Sequence, residues 1–114
     1  MTRLHGQSDF RRVMERGERH SDHLLALRAL RREADGGPDA ARVAVSVGKR
    51  FGNAVARNRV RRRVRECTRS ALSDTQGAWD LIFMPRAAAR ATTYDQLRES
   101  VSRLLRRAGI CGGE

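Results

Sequence analysis

Cysteines, histidines and long apolar stretches are scarce in this sequence, and each scarcity argues against a class of protein. Cys67 and Cys111, the two cysteines, stand far apart without C-x-x-C spacing, which argues against a disulfide framework or a zinc site. No run of about 18 apolar residues occurs, so we expect no segment that spans a membrane. The N-terminus lacks the apolar core of a signal peptide, and the expected location is therefore the cytoplasm.

Residues suited to catalysis are equally few. His5, His20 and His23 are the only histidines, and no cysteine or acid-rich motif completes a metal site around them. No serine–histidine–aspartate or cysteine–histidine arrangement is apparent, and the Gly-Lys-Ser/Thr spacing of a P-loop is missing. We therefore predict that the chain itself holds no catalytic residue and no metal ligand.

Positive charge is what the sequence has in excess. It contains 24 Lys and Arg against 13 Asp and Glu, which gives a net charge of +11. Between Lys49 and Arg69, nine basic residues accompany one acidic residue, Glu66, so this segment alone carries +8 of that charge. A local excess of this size favours binding to a polyanion. Charge alone leaves nucleic acid, an anionic membrane surface and an acidic protein as candidate partners.

The spacing of the apolar residues predicts one α+β domain over residues 1–114, with helices packed on a mixed or antiparallel sheet. The predicted elements are a helix at 8–16, strands at 24–30 and 42–47, a helix at 53–72, a strand at 80–84 and a last helix that begins after Thr93. Residues 32–41 are predicted to form an exposed turn, and residues 73–78 a loop.

Residue chemistry predicts where these elements begin and end. Ser8 and Asn53 are predicted N-caps, and Thr93 begins a capping-box spacing. A further strand could lie between Gly17, which ends the first helix, and Ala41. The parts of the chain that we expect to be flexible are residues 1–6 and 109–114.

The helix predicted at 53–72 has two sides of opposite character. Its apolar stripe consists of Val60, Val64, Cys67 and Ala71. Its opposite side consists of Asn58, Arg62, Arg65 and Arg69, with Arg59 and Arg61 on the outer flanks. Like charges at i and i+4 repel, and arginine near a helix N-terminus opposes the macrodipole. A bound polyanion would remove this repulsion.

Residues 52–66, Gly-Asn-Ala-Val-Ala-Arg-Asn-Arg-Val-Arg-Arg-Arg-Val-Arg-Glu, resemble the Arg-Asn-Arg signature of the bacterial ribonuclease P protein subunit. The strand at 42–47 is similar to the one that leads into that signature. Ser8-Asp9-Phe10 with Gly17, residues 80–83, and Tyr94 with Leu97 resemble other parts of the family. The resemblance extends from about Leu4 to Arg107.

The resemblance implies an α-β-β-β-α-β-α sandwich with a left-handed βαβ crossover. It also implies a partnership with a catalytic RNA, in an enzyme that removes the 5′ leader of precursor tRNA with Mg²⁺. The RNA performs the chemistry in that family and holds the Mg²⁺, so no further protein partner and no membrane is expected.

The resemblance also implies two sets of binding residues, which are the residues at positions that match the family's motifs. The residues expected to contact the catalytic RNA are Lys49, Arg50, Asn53, Arg57, Asn58, Arg59, Arg61, Arg62, Arg65 and Arg69. The residues expected to line the cleft for the leader are Phe10, Met14, Arg28 and Ser46. Phe10 could stack on a leader base, or it could be an ordinary core residue. Met14, Leu25 and Arg28 stand where aromatics are common in the family, so we expect weaker stacking on the leader.

Other classes of protein remain open at this point. A ribosomal-type or RNA-chaperone protein would explain the charge equally well, but it predicts no selectivity for precursor over mature tRNA. A membrane-active amphipathic helix would need a larger apolar stripe than Val60 and its neighbours provide. A DNA-reading basic zipper would need dimerising heptads, which are absent.

Overall fold

A computed structural model of the chain describes residues 1–32, 40–72 and 77–110. The strands are β1 (Thr2–Arg3), β2 (Glu18–Ser21), β3 (Leu25–Arg31), β4 (Arg42–Val45) and β5 (Trp79–Pro85). The helices are α1 (Gln7–Arg16), α2 (Ala54–Ala71) and α3 (Tyr94–Arg107), with 3₁₀ turns at Lys49–Phe51 and Ala87–Ala91. The predicted order α-β-β-β-α-β-α is confirmed, with one additional strand, β1, before it.

The strands form one mixed five-stranded sheet in the order β1-β4-β5-β3-β2. β4 pairs in parallel with both β1 and β5, whereas β3 pairs antiparallel with both β5 and β2. β4 and β5 are neighbours joined through α2, so they form the βαβ unit that the resemblance implies. The left-handedness of its crossover stays a prediction.

The two faces of the sheet are covered by different helices because side chains alternate along each strand. Leu25 and Leu27 of β3 belong to the core cluster under α2 and α3, and both are fully buried. Leu30 packs instead in the second cluster, where Val13 of α1 lies against Ile82 of β5. Full burial of a side chain of this size contributes about 1.5–3 kcal/mol, so each face supplies its own share of stability.

The beginning of the chain differs from what the sequence predicted. Ser8 is not the N-cap of α1, because the helix begins one residue earlier and Gly6 precedes it with φ 94°. That left-handed conformation favours glycine. The flexibility predicted for residues 1–6 stays a prediction, although Thr2–Arg3 form β1 and Leu4 is buried. The amides of Thr2 and Leu4 donate to the carbonyls of Ala41 and Val43, both at 2.9 Å.

Other predicted boundaries are confirmed. The side chain of Asn53 accepts a hydrogen bond from the amide of Ala56 at 2.9 Å, and Thr93 and Gln96 form both halves of a capping box. β2 is the further strand expected after Gly17. The strand predicted at 42–47 is shorter and ends at Val45. Most of the turn predicted at 32–41, most of the loop at 73–78, and Cys111 lie outside the described residues.

Candidate nucleic-acid interface

α2 has the two-sided character that its sequence predicts. Val60, Val64 and Cys67 are buried in the core cluster below the helix. The side turned away from the core we call the arginine face. Its residues are Arg59, Arg61, Arg62, Arg65 and Arg69, of which Arg61 and Arg65 are half-buried and the others exposed. One flank thus fixes the helix to the domain while the other presents guanidinium groups to the surroundings.

The carboxylates of the described residues do not neutralise these charges. Across residues 1–32, 40–72 and 77–110, no arginine of α2 forms an ion pair with a carboxylate, and Glu66 pairs with none of them. Helix α3 behaves differently, since Arg103 lies 2.8 Å from Asp22 and Arg98 lies 3.7 Å from Asp95. The positive charge of α2 therefore remains available to a polyanion from outside.

Two side-chain hydrogen bonds order the flank of α2 beside β1. Nη1 of Arg57 donates to the carbonyl of Gly52 at 2.7 Å, and Nη1 of Arg61 donates to Oδ1 of Asn58 at 2.8 Å. Both acceptors are neutral, so each bond fixes the direction of a guanidinium group without cancelling its charge. Asn58, predicted to contact RNA, therefore also orients an arginine.

Arg3 extends the arginine face, although no pattern in the sequence indicated this. Burial lowers the pKa of Arg65 below its ordinary value, and the positive charges of Arg3 and Arg61 lower it further. The parallel pairing of β1 with β4 brings Arg3 close to these residues. Repulsion among three arginines is relieved when a phosphate lies between them.

The 3₁₀ turn before α2 supplies the predicted loop residues. Lys49 and Arg50 are exposed on it. The side-chain oxygen of Asn53 is occupied as the helix cap, so its role in this structure is to fix the beginning of α2. A Cβ at Gly52 would lie 3.0 Å from the Cβ of Ala56 and 3.2 Å from the guanidinium of Arg90, so these neighbours would have to shift by a few tenths of an ångström to admit it.

Of the four residues predicted for the leader cleft, Phe10 and Met14 belong to α1, and Arg28 lies on the sheet face that α1 covers. Phe10 and Met14 are half-buried and pack in the cluster around Ile82. Arg28 donates from Nη1 to the carbonyl of Gly17 at 3.3 Å, which ties it to the end of α1. Ser46 follows β4 and is exposed. β5 lies between the strand of Arg28 and the strand that leads to Ser46.

One expectation about this cleft is corrected by the alternation of β3. Leu25 was expected to weaken stacking on the leader because it replaces an aromatic. Its side chain is fully buried in the core under α2 and α3, on the face opposite Phe10. The residue at this position therefore does not line the cleft, and Met14 and Arg28 remain as the two replacements expected to weaken stacking.

A buried ion network anchors α1 to the sheet on the same face. The carboxylate of Asp80 is fully buried and pairs with Arg32 at 2.6 Å, Arg42 at 2.7 Å and Arg12 at 3.1 Å. Asp9 of α1 pairs with Arg12 at 3.1 Å and with Arg42 at 3.3 Å. Burial by itself raises the pKa of Asp80, but hydrogen bonds from Arg42 and Arg32 and their charges outweigh it and lower the pKa below its ordinary value.

Cys67 lies fully buried on α2 and forms no disulfide, and burial raises the pKa of its thiol. In the part of the chain that the structure describes, no group of three or more His, Cys, Asp or Glu side chains could hold a metal ion. The helices of the described ranges also include none with the length and apolarity needed to cross a membrane.

A small α+β domain with an outward row of arginines that have no carboxylate partner among the described residues is typical of RNA-binding proteins. Residues 1–109 match the family model described as Ribonuclease P, and the chain belongs to this family. It is a protein component of ribonuclease P, a ribonucleoprotein endoribonuclease of tRNA processing, and it works with the ribonuclease P RNA.

Similar proteins cover nearly the whole chain. The ribonuclease P protein component of Clostridium novyi is 37% identical over 108 residues, which span 95% of this chain and 94% of that protein. The component of Herpetosiphon aurantiacus is 41% identical over 108 residues, or 95% and 85% of the two chains. The Staphylococcus aureus RNase P protein superposes with a TM-score of 0.85 at 27% identity and covers 98% of this chain and 99% of its own. The Thermotoga maritima protein, at 24% identity and a TM-score of 0.81, shares the fold.

Proposed function

We propose that the arginine face of α2, together with Lys49 and Arg50, binds the catalytic RNA of ribonuclease P. The observation that carries this proposal is that these guanidinium groups are directed outward without carboxylate partners among the described residues. Phosphate neutralises such a row and releases the counterions condensed on the RNA. Arginine suits this role because its planar fork matches phosphate oxygens.

The face under α1 is the proposed site for the 5′ leader of precursor tRNA. Phe10 is half-buried there and keeps part of its ring exposed beside the sheet. A partly exposed ring can stack on a base of a single strand, and Arg28 can add a guanidinium contact. We assign the cleavage chemistry and its Mg²⁺ to the RNA, and we place the assembled ribonucleoprotein in the cytoplasm.

The first experiment measures how RNA binding depends on salt. Arg62→Ala should weaken binding of the catalytic RNA and reduce the slope of log K against log[salt] by about one unit, because one phosphate contact is lost. Arg98→Ala is the matched control, since it removes the same charge from α3, where Arg98 already pairs with Asp95. Equal slopes for both variants and the original protein would contradict the proposed face.

The second experiment tests the leader cleft in the assembled enzyme. The protein is combined with a bacterial ribonuclease P RNA at low Mg²⁺, and binding of precursor tRNA is compared with binding of mature tRNA. We expect the original protein to favour binding of the precursor over mature tRNA. Phe10→Ala should reduce this preference by about fivefold or more, which corresponds to the low end of the stacking energy of one base. A ribosomal-type or chaperone protein would give no preference, and protein without RNA should cleave nothing.

A further inference from the structure

We propose that a cavity beside the N-terminal half of α2 binds one unstacked nucleobase of the catalytic RNA. The cavity has a volume of ≈ 280 Å³ and lies between α2, the 3₁₀ turn before it, the 3₁₀ turn Ala87–Ala91 and α3. The proposal rests on the function proposed above, in which α2 binds this RNA. It adds a contact to a base, whereas the arginine face contacts the backbone.

We call the buried apolar residues that line the cavity its floor, and the arginines that line it its rim. The floor includes Phe51, Val60 and Leu97, which are all buried. The rim includes Arg59, Arg63 and Arg90. A phosphate would lose its hydration against such a floor without gaining hydrogen-bond donors there. A nucleotide suits both parts, because its flat base can lie on the carbon surface while its phosphate stays near the guanidinium groups.

Arg90 reaches the rim from a distant part of the sequence. Its guanidinium lies so close to Gly52 that a Cβ there would be 3.2 Å from it. Among the described residues, neither Arg90 nor Arg59 nor Arg63 forms an ion pair with a carboxylate. Three positive groups therefore surround the cavity without an internal counter-charge, which favours an anionic ligand over a neutral one.

Val55 lies at the same cavity and gives the second, independent observation. Its side chain is 68% exposed, although its neighbours one turn further along α2 are the polar residues Asn58 and Arg59. A single exposed valine is ordinary on a protein surface. Here it continues the apolar floor outward to the mouth of the cavity, so a base that enters would cover it. Contacts to phosphate alone would leave the apolar surface of Val55 uncovered.

The test uses Val55→Ala, which keeps the helix because alanine is the best helix former. Since the side chain is exposed, the thermal unfolding of the variant should match that of the original protein. We expect binding of the catalytic RNA to weaken by about fivefold, because the variant removes two methyl groups that the base would cover. The slope of log K against log[salt] should not change, because no phosphate contact is lost.

Chemical probing of the RNA identifies the base. In the complex with the original protein, dimethyl sulfate or carbodiimide should find one unpaired base protected on its Watson–Crick edge. In the complex with Val55→Ala at saturation, that base should become reactive while the rest of the footprint stays unchanged. Arg62→Ala is the contrasting variant, because it should lower the salt slope and leave this base protected.

The outcomes separate the two proposals. If Arg62→Ala lowers the slope but Val55→Ala changes neither affinity nor any base, the nucleobase site is overturned and the arginine face stands. If neither variant affects binding, the proposed function itself fails. A lower slope for Val55→Ala would put a phosphate in the cavity. If the protein bound anionic vesicles or an acidic peptide and Val55→Ala weakened that binding, the ligand of the cavity would be a lipid surface or a protein. Each of these results also overturns the nucleobase site.

Discussion

Replacing Asp80 with asparagine should cost the domain about 3 kcal/mol of stability. Removing one partner of a buried ion pair typically costs about 3–5 kcal/mol, because the other charge stays buried without its counter-charge. The side chain of Asp80 is 0% exposed and that of Arg32 only 12%. Arg42 and Arg12 are 30% and 38% exposed, so water screens part of their loss. This screening places the expected cost at the lower end of the range.

Urea denaturation followed by circular dichroism measures this cost directly. Domains of this size have a total stability of about 5–15 kcal/mol, so a loss of about 3 kcal/mol is a large part of it. The melting temperature should fall by roughly 12 °C, at about 4 °C for each kcal/mol. Amide hydrogen exchange should accelerate most in α1, because Asp9 and Arg12 of that helix belong to the same network.

Asp95→Asn provides the matched control for this prediction. Its side chain is 84% exposed and lies 3.7 Å from Arg98, so the free energy of unfolding should change by less than about 0.5 kcal/mol. If Asp80→Asn loses no more stability than Asp95→Asn, the network does not anchor α1 and the reasoning is refuted.

Three further predictions concern stability. Val64→Asp should unfold the domain, because Val64 is fully buried and an unpaired charge there costs several kcal/mol; a cooperative transition at the original midpoint would contradict this. Burial raises the pKa values of Asp22 and Asp80, but their hydrogen bonds outweigh it and lower both below 3.8. The stability that these two carboxylates contribute should be fully present above about pH 4 and should be lost as the pH falls through their lowered pKa values. The measurement is the free energy of unfolding from pH 5 to about pH 2, and constant values over that range would contradict the prediction. Asn53→Ala should cost about 1 kcal/mol, because the amide of Ala56 loses its cap; urea denaturation at neutral pH measures this, and an unchanged midpoint would show that the cap contributes nothing.

The role of Phe10 could not be decided from the sequence, and the fold decides it only in part. The residue could have been a cleft aromatic or an ordinary core residue. The structure packs it in the cluster around Ile82 and leaves it half-exposed, so packing accounts for part of the ring only. Leu25 was misjudged, because the alternation of a strand decides which face a side chain joins, and the register of β3 could not be read from its sequence.

Local sequence is sufficient to predict the properties that depend on neighbours within a few residues. The stripe of Val60, Val64 and Cys67 specifies which side of α2 is buried, because a helix brings positions three and four residues apart onto one face. Asn53 and Thr93 specify where two helices begin through hydrogen bonds to amides three residues further on. These interactions need no knowledge of the rest of the fold.

Contacts between groups that are distant in the sequence became known from the folded structure. Asp80 accepts hydrogen bonds from Arg12, 68 residues away, and from Arg42, 38 residues away, and pairing of β1 with β4 brings Arg3 near Arg65. The proposed nucleobase cavity likewise joins the beginning of α2 to Arg90. The physical reason is that such contacts depend on strand order and register, which the packing of the whole core sets and no local spacing encodes.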